Sequence, residues 1–290
     1  MRPVSIVGCG YTGLKLAQRW RERGAPVRGY ATRDASLAAI AASGATPCRL
    51  DLDLDLDPTA IDTGGAIVYY AVPPAATTSS DARLERFLAR LTAAPARIVY
   101  LSTTGVYGDH AGAVVDEDTP LDPRSARAAR RVAAEGALRA WVAPRQASWC
   151  ILRVAGIYGP GRLPLGRLRA GEPVIATAEA GPGNRIHVDD LVEACVAAGE
   201  APQAHLRVYN VCDGTHDSMT EYLVRVARIA GLPAPPQLPR AEAARVLPES
   251  MWSFLAESRR VSNRRLVGEL GVRLRHADLD QGIRASLAAE

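Results

Sequence analysis

The sequence predicts an α/β protein: a doubly wound parallel sheet of about seven strands, with a smaller domain interleaved toward the C-terminus. Three observations predict it. Short β-branched and apolar runs alternate with stretches of helical periodicity over the first half of the chain. A glycine-rich turn, Gly8-Cys9-Gly10-Tyr11-Thr12-Gly13, joins the first run to the first helix. Beyond Gly156 that rhythm breaks, at Gly159-Pro160-Gly161, at Gly181-Pro182-Gly183 and in the proline-rich stretch 233–239.

Val4-Ser5-Ile6-Val7 reads as a buried parallel strand. Further strands are expected at 27–32, 46–50, 66–71, 97–102, 149–154 and 207–212, and helices at 34–42, 80–91 and 125–142. Strands separated by helices imply right-handed crossovers and a sheet covered on both faces. Helical pieces at 220–230 and 278–287 belong to the irregular part. Residues 1–155 and 186–213 are assigned to the sheet domain. Residues 156–185 and 214–290 form the smaller one, expected to cap the edge of the sheet where ligands of open α/β folds bind.

Composition narrows the class. The chain has 290 residues, 48% hydrophobic and 23% charged, with no apolar run long enough to span a membrane. The first strand begins too early for a signal peptide, and five scattered cysteines read as small buried hydrophobes of a cytoplasmic protein. The net charge is +4. Arginines cluster at 124, 127, 130, 131 and 139, but no aromatic side chains interleave them, so nucleic acid is not an expected partner. The acidic run 51–57 places Pro58 or Leu56 where a calcium loop needs glycine, so no metal is expected. Lys15 is the only lysine.

The glycine turn carries the first functional reading. Gly8, Gly10 and Gly13 are spaced G-x-G-x-x-G between a strand and a helix, the pattern of a Rossmann dinucleotide site. Gly8 permits the tight turn, Gly10 the approach of a pyrophosphate, and Gly13 the packing of helix on strand. Tyr11 and Thr12 complete the turn. Asp51 and Leu52 after the third strand, and Ala71, Val72 and Pro73 after the fourth, are assigned to the same cofactor cleft. At the end of the second strand an acid would bind the ribose of NAD; here the chain reads Thr32-Arg33, with no acid before Asp34. Arg33 can fork onto a phosphate, which favours NADP, with NAD possible.

Several stretches resemble the extended short-chain dehydrogenase/reductases, the NAD-dependent epimerase/dehydratase family. Residues 98–108, ending Ser102-Thr103-Thr104-Gly105-Val106-Tyr107-Gly108, resemble its fifth strand and S-S-x-x-V-Y-G loop, and Asp116-Glu117-Asp118-Thr119-Pro120 its acidic turn. Residues 152–160 match its sixth strand with a Y-G-P exit, 184–191 its I-H-V-x-D segment, and 208–211 its seventh strand. The glycine loop is one residue shorter than the family's usual form. The resemblance implies a small-molecule substrate, such as a nucleotide sugar, and a homodimer.

The resemblance breaks at the chemistry. The family carries Y-x-x-x-K on its fifth helix, with a glutamate four residues later. Aligning on Glu135 puts Arg131 at the lysine position and Arg127 at the tyrosine position. Arginine does not give up its proton at working pH, so the usual relay is absent. Arg131 can still bind a ribose or phosphate, and Arg127 a substrate anion. Thr103 stands at the family's serine/threonine position, where a hydroxyl orients a substrate oxygen; it is equally readable as a strand-end threonine. Tyr107, Tyr158 and His187 are the remaining candidates for proton transfer, each with a structural alternative: turn packing for the tyrosines, a hydrogen-bonded position before a helix for His187. Asp190 is expected to cap that helix. Arg185 and Arg260 are expected to face the inter-domain cleft and grip an anionic substrate, with salt bridges as the alternative. Two functions compete: an oxidoreductase or epimerase with a rebuilt relay, and a non-catalytic NADP-binding sensor or partner-binding module.

Overall fold

The computed structural model describes residues 1–54, 61–76 and 78–290, without the side chains of 250, 253 and 254; the end of the acidic run lies outside them. The seven expected strands form one parallel sheet: β1 (Val4–Val7), β2 (Val27–Ala31), β3 (Thr46–Arg49), β4 (Ile67–Tyr70), β5 (Arg97–Thr103), β6 (Trp149–Val154) and β7 (Arg207–Val211). Their order is β7-β6-β5-β4-β1-β2-β3. β1 pairs β2 on one side and β4 on the other, Val7 opposite both Tyr30 and Tyr70. The chain therefore reverses its direction of winding at β1. That reversal opens a crevice at the carboxyl ends of β1 and β4.

Helices α1 (Tyr11–Glu22), α2 (Asp34–Ala42), α3 (Ala82–Ala89), α4 (Ala126–Val142), α5 (Leu165–Arg169), α6 (Val188–Glu200) and α7 (Met219–Ile229) follow the expected positions where the sequence reading assigned one. Local chemistry sets their starts. The Asp81 carboxylate accepts the Leu84 amide at 3.1 Å, and Ser125 Oγ the Ala128 amide at 3.2 Å. Ser218 and Glu221 form a reciprocal capping box on α7. The start of α6 corrects an expectation. His187, not Asp190, is its N-cap, its Nδ1 accepting from the Asp189 amide at 3.2 Å. Asp190 is fully buried and instead accepts the amides of Arg275 and His276 at 2.8 and 3.0 Å.

Strand alternation divides the core in two. Ile6, Tyr69, Val99 and Leu152 pack toward α1 and α6, while Val7, Tyr70, Ile98 and Tyr100 pack toward α3 and α4. On the first face Trp20 Nε1 donates to Tyr69 Oη at 3.1 Å, and Tyr69 donates to the Cys195 carbonyl at 3.0 Å. Four of the five cysteines are buried, and all are free thiols.

The chain after Gly156 builds a separate cluster in which Tyr158 and Val174 from short strands pack with Leu168 of α5, Tyr222 and Leu223 of α7, and Ile283 of α11 (Leu279–Ala288). Between α7 and α11 lie α8 (Arg240–Val246), α9 (Glu249–Leu255) and α10 (Arg264–Gly268). The expected division at 214 is not clean in the packing, because Leu266, Leu270 and Val272 bury into the sheet's first core cluster. A two-residue parallel ladder of Val114–Val115 with Arg260–Val261 joins the sheet part to the C-terminal segment, and another, Val174–Ile175 with Gln237–Leu238, joins the two segments of the smaller part. No described helix is long and apolar enough to cross a membrane.

A glycine pair tests this packing with opposite signs. A Cβ on Gly199 of α6 would strike Tyr69 Oη, whereas one on Gly136 of α4 meets nothing within 4 Å. In urea unfolding, Gly199→Ala is expected to cost about 1–3 kcal/mol, and Gly136→Ala to gain roughly 0.5–1 kcal/mol.

Candidate functional site

The glycine turn opens the crevice at the head of the sheet. Gly8 has φ +85°, and a Cβ there would lie 2.9 Å from the Val72 amide nitrogen. Only glycine closes β1 this tightly against the strand-exit loop after β4. A Cβ on Gly13 would meet Gly8 O and Ile6 Cγ2 at 3.2 Å, so its smallness lets α1 seat on β1. Gly10 has nothing within 4 Å of a built Cβ. The first amides of α1 have no intrahelical acceptor, and no acidic side chain stands in its first turn. This is the geometry of an anion cradle.

A cleft of about 650 Å³ lies over the turn, and every residue assigned to the cofactor lines it: Gly8, Gly10, Tyr11, Thr12, Gly13, Thr32, Arg33, Asp51, Leu52, Ala71, Val72, Pro73 and Arg131. Sequence reading missed Ser36, Asp53, Arg83 and Arg162, which line it too. Arg83 straps two walls together, holding Asp53 with Nε at 2.7 Å and the Pro73 carbonyl with Nη1 at 2.9 Å. Arg162 lies over the Tyr11 ring, 4.3 Å from its centroid. Asp34 does not line the cleft; its side chain is 91% exposed and paired with Arg49.

A second cavity of about 460 Å³ begins where the first ends. Leu101, Ser102 and Val154 face the first, Thr103 and Ala155 the second. Helix α4 serves both. Arg131 lines the first and donates through Nη1 to Tyr100 Oη and the Leu101 carbonyl, each at 3.0 Å. Arg127, one turn earlier on the same helical face, lines the second. The two arginines thus line one cavity each. Thr103 Oγ1 accepts the Gly105 amide at 3.2 Å while lining the second cavity.

Beneath this junction runs a buried polar chain. Glu135 on α4 is fully buried and takes Arg153 of β6 in two hydrogen bonds, at 3.2 Å from Nε and 2.9 Å from Nη2. Ser102 Oγ donates to the same carboxylate at 2.7 Å. Arg153 Nη1 donates to Tyr107 Oη at 2.9 Å, and Tyr107 donates to Asn210 Oδ1 at 2.7 Å. β5, β6, β7 and α4 are tied at one point.

That chain corrects the candidacy of Tyr107: it is fully buried, both roles of its hydroxyl are used, and burial pushes its pKa up to about 12. Tyr158 lines neither cavity. It packs edge-on against His187 and Tyr222 in the C-terminal core, and burial raises its pKa. His187 caps α6, hydrogen-bonds Ser286 Oγ at 3.3 Å, and is held neutral by burial and by His276 beside it. Arg185 is buried rather than cleft-facing, with Nη2 on the Asp217 carbonyl at 2.6 Å. Arg260 is exposed and lines neither cavity; its backbone pairs with Val114 in a two-residue ladder and its Nη1 donates to the Gly112 carbonyl. Lys15 is far from α4 in function as in sequence, its Nζ 3.2 Å from Asp189 on α6. His187, Asp189 and His276 bring their ligand atoms within 4.8 Å of one another. Both ring nitrogens of His187 are already hydrogen-bonded, and Asp189 holds Lys15.

These features meet known proteins at one place. A family model described as the NAD dependent epimerase/dehydratase family matches residues 4–212, and the chain belongs to that family. It is 32% identical over 249 residues to the protein YeeZ of Escherichia coli K12, covering 82% of this chain and 86% of that one. Over 182 residues, 59% of this chain and 58% of the other, it is 33% identical to the 3-diazoavenalumate denitrifying reductase of a Streptomyces species. The solved structure of a functionally unknown conserved protein from Silicibacter pomeroyi superposes with a TM-score of 0.84 at 33% identity, covering 99% of both chains.

Two consequences of the buried charges are measurable. In chemical denaturation, Glu135→Leu is expected to cost about 3–5 kcal/mol by stranding Arg153, and Arg153→Met added to it to restore much of the loss. Burial pushes the Asp213 carboxyl up to about 6, although Arg185 pulls the other way. The folded carboxyl thus keeps its proton to higher pH than the unfolded one, and its contribution is lost as pH rises through about 6. Asp213→Asn, which cannot ionise, is expected to gain on the wild type by up to about 3 kcal/mol between roughly pH 4 and pH 7, read as unfolding free energy against pH.

Proposed function

We propose that the protein is an NAD(P)-dependent oxidoreductase that works without a tyrosine–lysine proton relay. In this reading NADP, in preference to NAD, lies in the 650 Å³ cleft and a small molecule in the adjoining cavity. The observation that carries it is the junction of the two cavities at the ends of β5 and β6, beside a turn that is open at Gly10, where a Cβ would meet nothing within 4 Å. The reductase name of the Streptomyces relative supports hydride transfer as the reaction type. By resemblance, the active form is a cytoplasmic homodimer.

The residues fit the cofactor. The first turn of α1 meets the pyrophosphate, Thr32, Arg33 and Ser36 the 2′-phosphate, and Arg131 the ribose beside the nicotinamide. Bound there, the dinucleotide supplies or accepts a hydride at its nicotinamide ring. Thr103 Oγ1 orients a substrate oxygen at the boundary. Arg127 stabilises negative charge that builds on that oxygen but keeps its own protons, so the balancing proton comes from solvent or from the substrate. The same pair of arginines supports a second reading, a dinucleotide-binding sensor with no turnover.

Titration of NADPH and NADH by nicotinamide fluorescence tests the cofactor. Gly10→Leu, whose side chain has room only in the cleft, is expected to leave the melting temperature unchanged and to lose binding of both. Arg33→Ala is expected to weaken NADPH about tenfold or more and to leave NADH almost unaffected. If neither nucleotide binds at millimolar concentration, the reading fails. Binding without consumption of NADPH, for any acceptor seated in the second cavity, selects the sensor.

A further inference from the structure

We infer that Arg162, together with the first turn of α1, binds the diphosphate of the dinucleotide. This rests on the reading that the dinucleotide fills the 650 Å³ cleft, and it gives a phosphate-binding role to a residue outside the glycine turn.

The turn that carries Arg162 is built onto the start of α1. A Cβ on Gly159 would lie 2.6 Å from Val188 Cγ1 and 2.7 Å from Tyr11 Oη, so the chain passes close over both helices there. The Tyr11 hydroxyl donates to the Pro160 carbonyl at 2.9 Å, and the Arg162 amide closes the turn on the Gly159 carbonyl at 3.0 Å. Just beyond, Leu163 and Leu165 pack against the C-terminal core. The segment is thus anchored on both sides of Arg162. Its guanidinium carbon lies 4.3 Å from the ring centroid of Tyr11, the first residue of α1. Arg162 therefore lines the cleft beside Gly10, Thr12 and Gly13. A ring face attracts a guanidinium but offers it no lone pair, so the N–H donors keep their capacity for the oxygens of an anion.

Charge identifies the anion. Two linked phosphates bring two negative charges, and a helix N-terminus supplies only about half a positive one. A cation is needed at the turn. Of the others that line the cleft, Arg83 is held by Asp53 at 2.7 Å, and Arg131 is tied at the end of β5 to Tyr100 and the Leu101 carbonyl. Arg33 follows β2, where the adenosine ribose is expected. Lys15 belongs to α1 but is bound to Asp189. Arg162 is the cation seated on the turn. The acids near Tyr11 are engaged elsewhere, Asp189 with Lys15 and Glu290 with the Gly161 amide at 3.2 Å. A guanidinium in this place meets phosphate oxygens with two parallel donors, the strong form of the contact.

Calorimetric titration of the wild type and Arg162→Gln with NADPH, NADH and ADP-ribose tests the assignment. ADP-ribose carries the diphosphate without the nicotinamide or the 2′-phosphate. The substitution is expected to weaken all three by a common factor of about tenfold or more. The melting temperature is expected to stay unchanged, because the side chain is exposed. Affinity for ADP-ribose is expected to fall more steeply with added salt in the wild type than in the variant. Unchanged affinity for ADP-ribose, equal salt slopes, or a loss confined to NADPH, which would put Arg162 on the 2′-phosphate, overturns the inference and leaves the cofactor reading standing. If the wild type binds none of the three, the cofactor reading fails and this inference with it.

Discussion

The position of α4 depends on one buried ion pair. Glu135 and Arg153 lie in the interior with almost no water to screen them. Taking two charges out of solvent is costly, and the cost is offset only if geometry and hydrogen bonds are good. Here they are: the fork of Arg153 meets both carboxylate oxygens, Ser102 adds a third donor, and the spare Nη1 is used by Tyr107. Any slide of α4 along the sheet would break several of these at once. The pair is therefore a registration device as much as a source of stability. Its register sets which turn of α4 faces which cavity, and so places Arg127 and Arg131 on either side of the junction at Ser102 and Thr103.

A second constraint comes from the sheet. Reversal of winding at β1 leaves the ends of β1 and β4 uncovered by crossovers, and a crevice there is unavoidable. Its chemistry comes from the turn. Gly8 brings the backbone to van der Waals contact with Val72, so the two lips of the crevice are held at fixed separation. The loops beyond are joined by arginines: Arg83 bridges the 53 and 73 segments, and Arg162 covers Tyr11, whose hydroxyl donates to the Pro160 carbonyl at 2.9 Å. The cleft is thus built by close backbone approach at its base and by side-chain straps at its rim.

Legibility in the sequence follows the range of the interactions. Parallel strands buried on both faces are continuous apolar runs, as in β1, β4, β5 and β6, whereas the exposed edge strand β3 (Thr-Pro-Cys-Arg) was readable only from its place in the alternation; α4 was readable too, because its Ser125 cap is local. The start of α6 was misread because aspartate is the commoner cap, yet Asp190 answers amides 85 and 86 residues away. The two-residue ladder between 114–115 and 260–261 has no periodicity to detect. Arg185 and Arg260 have the same residue type, but one is buried against α7 and the other exposed at an edge, a difference made by neighbours distant in sequence. Ser36 and Arg83 carry no motif; only their placement after the expected strands and the positive character of the site could have suggested them.

The basic residues bear on the chemistry in a way their number conceals. With Lys15 committed to Asp189 between α1 and α6, every cation near the cavities is arginine. A lysine beside a tyrosine makes a proton exchanger, because burial and neighbours move its pKa into the working range. An arginine in the same place supplies undiminished positive charge and five fixed donors and exchanges nothing. Aligned on Glu135, Arg127 and Arg131 stand where the family's tyrosine and lysine are expected, and each lines one of the two cavities. In the proposed reading the two arginines supply fixed positive charge beside cofactor and substrate and exchange no protons. On the proposed function, the proton that balances hydride transfer is therefore supplied from outside any tyrosine–lysine pair.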